Sequence, residues 1–116
     1  MKTFTEIYSN NLGTSYELSE FGSNEKFLVL EVNEISFYIN KSELEAFVKS
    51  TEIIINHHSQ CTCPPDLENK MVVYQAKQIE IRMLLSYNQL FYLKDLLKGT
   101  EFKLSLETVL NKFKIL

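Results

Sequence analysis

The segment FLVLEVNEISFYINKSELEAFVKST, residues 27–51, constrains the fold most, because its apolar residues change period partway along. Up to Ile39 they alternate, as in a half-buried strand; from Leu44 they recur at helical steps, through Phe47 and Val48. A two-residue loop at Asn33 and Glu34 folds the alternating part into a hairpin that opposes Val32 to Ile35, Leu30 to Phe37 and Leu28 to Ile39. All six are apolar. The other face carries Val29 with Tyr38, Glu31 with Ser36 and Phe27 with Asn40, and a slip of one residue would exchange the two faces, so the register is strongly specified. Ser42 and Glu45 have the spacing of a capping box that opens the helix. The unit is ββα.

Residues 71–97, MVVYQAKQIEIRMLLSYNQLFYLKDLL, repeat this polarity pattern at a constant offset, Met71 answering to Phe27 and Ser86 to Ser42. A loop at Lys77 and Gln78 pairs Ala76 with Ile79, Tyr74 with Ile81 and Val72 with Met83, and the opposite face carries Val73 with Arg82 and Gln75 with Glu80. Ser86 and Gln89 form the second capping box. The helical stripes then fall out of step, since Leu90, Leu93, Leu96 and Leu97 match the first stripe only after a two-residue insertion or with a cap at Asn88. Identity between the copies is slight, so duplication and convergent patterning both stand.

Around these units, residues 4–9 and 14–18 are rich in β-branched and aromatic residues and flank a turn of Asn10, Asn11, Leu12 and Gly13, which predicts an N-terminal hairpin. Gly99 is a natural helix terminator, and Leu106, Val109, Leu110 and Phe113 behind Ser105 predict a short last helix docked on its own domain. At 116 residues and 45% hydrophobic the chain is long enough to bury its own core. The expectation is one α+β domain, with an N-terminal hairpin over residues 1–22, ββα units over 27–55 and 71–98, a connecting loop over 56–70, and a C-terminal helix over 105–114. Its mostly antiparallel sheet of about six strands has the helices mainly on one face.

The net charge of −3 has the wrong sign for a nucleic-acid or anionic-membrane partner. Lys94, Lys98, Lys103, Lys112 and Lys114 sit in a mildly basic second half, but Asp95, Glu101 and Glu107 intersperse them as on a solvated helix face. No apolar run has the length of a membrane span and no signal-peptide pattern opens the chain, so a cytoplasmic protein with reduced thiols is expected.

The one stretch with chemical potential is HHSQCTC, where His57, His58, Cys61 and Cys63 offer imidazole and thiol donors suited to zinc. Its spacing is poor for a standard finger, no second cysteine pair follows, and a solvated loop with incidental His and Cys is the plainer account. Thiol-redox chemistry needs the strained ring of a CxC pair, and no CxxC is present. Glu31 and Glu80 occupy corresponding hairpins, yet two glutamates on an open sheet face are ordinarily solvated. No GxSxG, HExxH or glycine-rich phosphate loop is present.

On the sheet face away from the main apolar set stand Val29, Tyr38, Val73 and Arg82, and Tyr and Arg are enriched at binding hot spots. Either another element of the chain covers this face or it is an interaction surface. The runs NLGTSYELSEF and EKFLVLEVNEISFYINKSELEAF resemble a family of small Bacteroidota proteins with no assigned activity, over roughly residues 11–97. The resemblance implies a glycine and a strand leading into a hairpin, then a helix opened by Ser or Thr. The CxxC pair of that pattern is replaced here by Leu18, Ser19, Glu20 and Phe21. The leading expectation is a cytoplasmic, non-catalytic binding domain without a cofactor, acting on a protein partner or by self-association as a homodimer. The alternatives are a zinc or thiol-redox role for His57, His58, Cys61 and Cys63, and an enzyme without a recognisable motif.

Overall fold

The computed structural model describes residues 2–20, 22, 26–59, 70–75 and 80–113. Strands β1 (Lys2–Ser9), β2 (Gly13–Glu20), β3 (Lys26–Val32) and β4 (Ile35–Ile39) lead into helix α1 (Lys41–Ser59), and β5 (Lys70–Gln75) and β6 (Glu80–Leu85) lead into helix α2 (Tyr87–Phe113). The protein is α+β, and every strand pairing is antiparallel.

The β3–β4 hairpin has the register its alternation dictates: Leu28 faces Ile39, Leu30 faces Phe37 and Val32 faces Ile35. Asn33 takes a positive φ of 56° at the turn, a conformation that asparagine tolerates better than most residues. The β5–β6 hairpin likewise pairs Val72 with Met83 and Tyr74 with Ile81. The expected pairing of Ala76 with Ile79 and the loop at Lys77 and Gln78 lie outside the described residues.

The expected single six-stranded sheet is two sheets, a four-stranded meander in the order β1-β2-β3-β4 and a separate β5–β6 pair. Side chains join them where a ladder was expected. The Tyr74 ring packs 4.7 Å from Phe37 of β4 and 5.2 Å from Phe47 of α1, and its hydroxyl reaches the Tyr38 carbonyl at 3.5 Å. Both sheets feed one core: Leu30, Val32, Phe37 and Ile39 from the first and Val72, Met83 and Leu85 from the second pack with Leu44 and Phe47 of α1 and the leucines of α2.

The first helix cap differs from the one expected. Asn40 Oδ1 accepts from the Glu43 amide at 2.8 Å while Glu43 Oε1 accepts from the Asn40 amide at 2.9 Å, so Asn40 and Glu43, not Ser42 and Glu45, form the capping box. Ser42 donates to Asn40 Oδ1 and supports the cap from the first turn. Strand β4 ends at Ile39, which leaves Asn40 as the residue between strand and helix. At α2 the expected box holds, with Ser86 and Gln89 exchanging bonds of 2.9 and 3.2 Å. With Asn40 answering to Ser86, Leu44 matches Leu90 and Phe47 matches Leu93. The insertion lies in the second hairpin, whose ladder runs on to Lys70 opposite Leu85. Asn40→Ala should cost about 1 kcal/mol in urea unfolding and Ser42→Ala only a few tenths; equal losses would return the cap to Ser42.

Helix α1 takes in residues 56–59, which the sequence pattern places in the connecting loop. Helix α2 does not stop at Gly99, and no separate helix begins at Ser105; it runs unbroken from Tyr87 to Phe113. The glycine serves a close approach instead, since a Cβ there would lie 2.5 Å from the Tyr8 ring. A bulge between Glu6 and Tyr8 turns Tyr8 toward α2, where its hydroxyl donates to Asp95 at 2.8 Å. That bond raises the Tyr8 pKa above its ordinary value, because it stabilises the neutral phenol. Asn10 completes the clamp: its Oδ1 accepts from the Leu12 and Gly13 amides, and its Nδ2 donates to the Tyr92 carbonyl and to Asp95. Deeper in, the buried hydroxyls of Ser15 and Thr100 share a 2.6 Å hydrogen bond between β2 and α2. Further along, Leu106 and Leu110 are exposed, so the expected docked face of the last helix is open to solvent at these two positions.

Candidate functional site

Clamping the meander onto α2 by its Tyr8 and Ser15 side leaves its opposite face outward. Directly opposed residues on antiparallel strands share a face, so the pairings place Phe4, Leu18 and Phe27 in one row and Glu6, Tyr16, Val29 and Tyr38 in the next. Lys2 and Glu20 close one end; Thr14, Glu31 and Ser36 close the other. Phe4, at 58% exposure, Tyr38, at 61%, and Phe27 stand open to solvent. Leu18 and Val29, at 4% and 8%, are buried beneath them, apart from the main core cluster. The aromatic neighbours provide that cover. Leu18 has Phe4 and Phe27 as cross-strand neighbours, and Val29 has Tyr16 and Tyr38. Phe4 meets Tyr16 edge-on at 6.1 Å, and Phe27 meets Tyr38 at 5.8 Å.

Two adjoining grooves cross this face. One, of about 390 Å³, is lined by Lys2, Leu18, Glu20, Phe27 and Tyr38; the other, of about 250 Å³, reaches Phe4, Val29 and Ser36. Apolar side chains at the centre with charged groups at the ends make a surface suited to holding an apolar segment by burial.

Of the four residues expected on the interaction surface, Val29 and Tyr38 belong here as a cross-strand pair, with Tyr38 open and Val29 covered. Val73 and Arg82 also pair as expected, but on the other sheet. Val73 lines a small cleft against Glu43, Ala46 and Ser50 of α1, and Arg82 is engaged by Glu80 at 2.9 Å. Glu31 accepts from Ser36 on the meander, so Glu31 and Glu80 sit on different sheets. The sequence pattern places Phe27 on this face but not on the interaction surface, and Phe4, Tyr16 and Leu18 are the members that it does not single out. Their signal was the period-two placement of Phe4 and Glu6, and of Tyr16 and Leu18, once a register is assigned to the first hairpin.

His57 is exposed near the end of α1 and His58 follows it in the helix. Cys61 and Cys63 lie outside the described residues, among which no group of three or more metal-ligating side chains occurs. Among them, too, no helix is long and apolar enough to cross a membrane. Of the lysines weighed for a basic patch, Lys98 is paired with Glu52 of α1 at 3.1 Å.

Fold and surface together define an α+β protein of two antiparallel sheets, one of which carries exposed Phe4, Phe27 and Tyr38 on its outer face among the described residues. No protein-family model matches the chain, and no curated protein or solved structure matches it.

Proposed function

We propose that the protein is a non-catalytic interaction domain that holds a protein partner on the outer face of the β1–β4 meander. The observation that carries this role is the pair Leu18 and Val29, buried on a sheet face away from the core and flanked across the strands by the aromatic side chains of Phe4, Tyr16, Phe27 and Tyr38. A monomer ordinarily spreads its exposed apolar groups; a contiguous aromatic surface with a polar rim is the usual mark of a binding site. Tyr and Phe supply much contact area at low conformational-entropy cost, which suits Phe4, Phe27 and Tyr38 to anchor a partner.

The test is a photo-crosslinking amino acid placed in cells at Tyr38 or, as a control, at the exposed helix position Glu45. The Tyr38 probe should give a discrete adduct that Phe27→Ser weakens strongly, while the Glu45 probe should not. Equal adducts from both positions, or none from Tyr38, would remove the role assigned to this face.

A further inference from the structure

Strand β1 is an edge of the four-stranded sheet, and residues 2–6 are all exposed. The bulge lies beyond this stretch, between Glu6 and Tyr8, so Lys2 to Glu6 pair regularly with β2, and no described strand pairs with their other edge. A regular exposed edge of this length is a template for another strand.

The strand is complementary to itself. If two copies meet antiparallel about a two-fold axis normal to the sheet, residues of like face must oppose, so the paired numbers differ by an even step. Centred on Phe4, Lys2 of each copy opposes Glu6 of the other, Thr3 opposes Thr5, and the two Phe4 rings meet on the outer face. Centring on Thr3 or Thr5 instead opposes Phe4 to Lys2 or to Glu6 and leaves both charge pairs unmade. Among the described residues neither Lys2 nor Glu6 forms an ion pair within its own chain, although Lys2 stands opposite Glu20 on β2. Opposite charges, Thr–Thr pairs and aromatic pairs are the cross-strand combinations that stabilise an antiparallel ladder.

We infer that the protein forms a two-fold dimer through β1, in the register centred on Phe4, joining two meanders into one eight-stranded sheet. This arrangement places the two aromatic faces side by side, with Phe4 of each copy at the seam. It stands on the edge strand and its charges, not on the partner-binding role proposed above.

Sedimentation equilibrium on untagged protein should show a monomer–dimer equilibrium with a Kd on the order of 10 µM, as suits a small interface. Lys2→Glu and Glu6→Lys should each weaken it about tenfold by setting like charges opposite one another, and the double variant should recover to within about twofold of the parent. In a Cys61→Ser, Cys63→Ser background, Phe4→Cys should oxidise to a covalent dimer, because opposed Cα atoms about 5 Å apart suit a disulfide. Thr3→Cys should not, its mate lying about 8 Å away. A monomer at about 0.5 mM, far above the expected Kd, would overturn the inference. So would a dimer indifferent to both single charge reversals, or preferential cross-linking through Thr3→Cys. Glu6 lines neither groove of the outer face, so a Tyr38 adduct that persists in a monomeric Glu6→Lys protein separates the two proposals.

Discussion

Gly13→Ala is expected to be the most damaging single-methyl change among the described residues, lowering stability by about 3 kcal/mol or more. A Cβ at this position would run into the Glu31 carbonyl oxygen, closer than any real contact allows, with the carbonyl carbon and Val32 Cα behind it at 3.0 and 3.1 Å. Both obstacles are backbone. Relief requires β2 to move away from β3 where Gly13 faces Val32, and the ladder there anchors the Asn10 clamp on α2 as well. Gly22→Ala is the control: φ there is +85°, and no described residue lies within 4 Å of an added methyl, so backbone strain should cost about 1 kcal/mol. Urea midpoints at equal slope measure both. A loss at Gly13 no larger than at Gly22 would show that β2 and β3 separate there at little cost.

Tyr74→Ala should destabilise the fold by about 3 to 5 kcal/mol, the range for a buried aromatic truncation. Tyr74 is 3% exposed and is the ring through which the β5–β6 pair meets both Phe37 and Phe47. Its loss opens a cavity at the junction of two sheets that share no ladder, so hydrogen exchange in β5 and β6 should quicken more than in the meander. Uniform acceleration would argue against that role for Tyr74. Tyr74→Phe keeps the rings and gives up the hydroxyl's long contact with the Tyr38 carbonyl and its interaction with Glu43, costing about 1 kcal/mol near neutrality.

The same phenol predicts a pH response. Burial first, then the neighbouring Glu43 carboxylate, push the Tyr74 pKa up to about 12. Unfolded tyrosine ionises near 10, so above that pH the unfolded chain loses its proton while the folded protein keeps it. The contribution is complete below pH 10 and is lost as pH rises toward 12, on the order of 2 kcal/mol in all. Tyr8, also raised, adds a decline of the same sign. Tyr74→Phe should flatten the fall in stability over this window; an unchanged slope would assign it to other groups.

The local geometry of both hairpins was legible because strand alternation permits only one register that gathers the apolar residues. Leu30 opposite Phe37 and Val72 opposite Met83 follow from that alone. The first cap was expected at Ser42, yet Asn40 is an equally competent capping residue with a glutamate three positions on. Only the end of β4 at Ile39 chose between them. Gly99 misled for a related reason: a glycine reads the same whether it ends a helix or admits a ring, and the Tyr8 ring lies far away in sequence.

The chain's sequence thus determined its ββα units, the faces of their strands and the start of α2, all set by contacts between residues near one another along the chain. Tertiary structure decided that β5 meets β4 through the Tyr74 ring instead of a ladder, and that α2 continues through Gly99 beneath Tyr8. It also decided that Phe4, Tyr16 and Leu18 join Phe27, Val29 and Tyr38 on one surface while Val73 and Arg82 stand on another. The physical reason is that periodicity records which side of an element is apolar. Which edges meet, and which apolar sides stay uncovered, depends on how distant elements pack around a shared core.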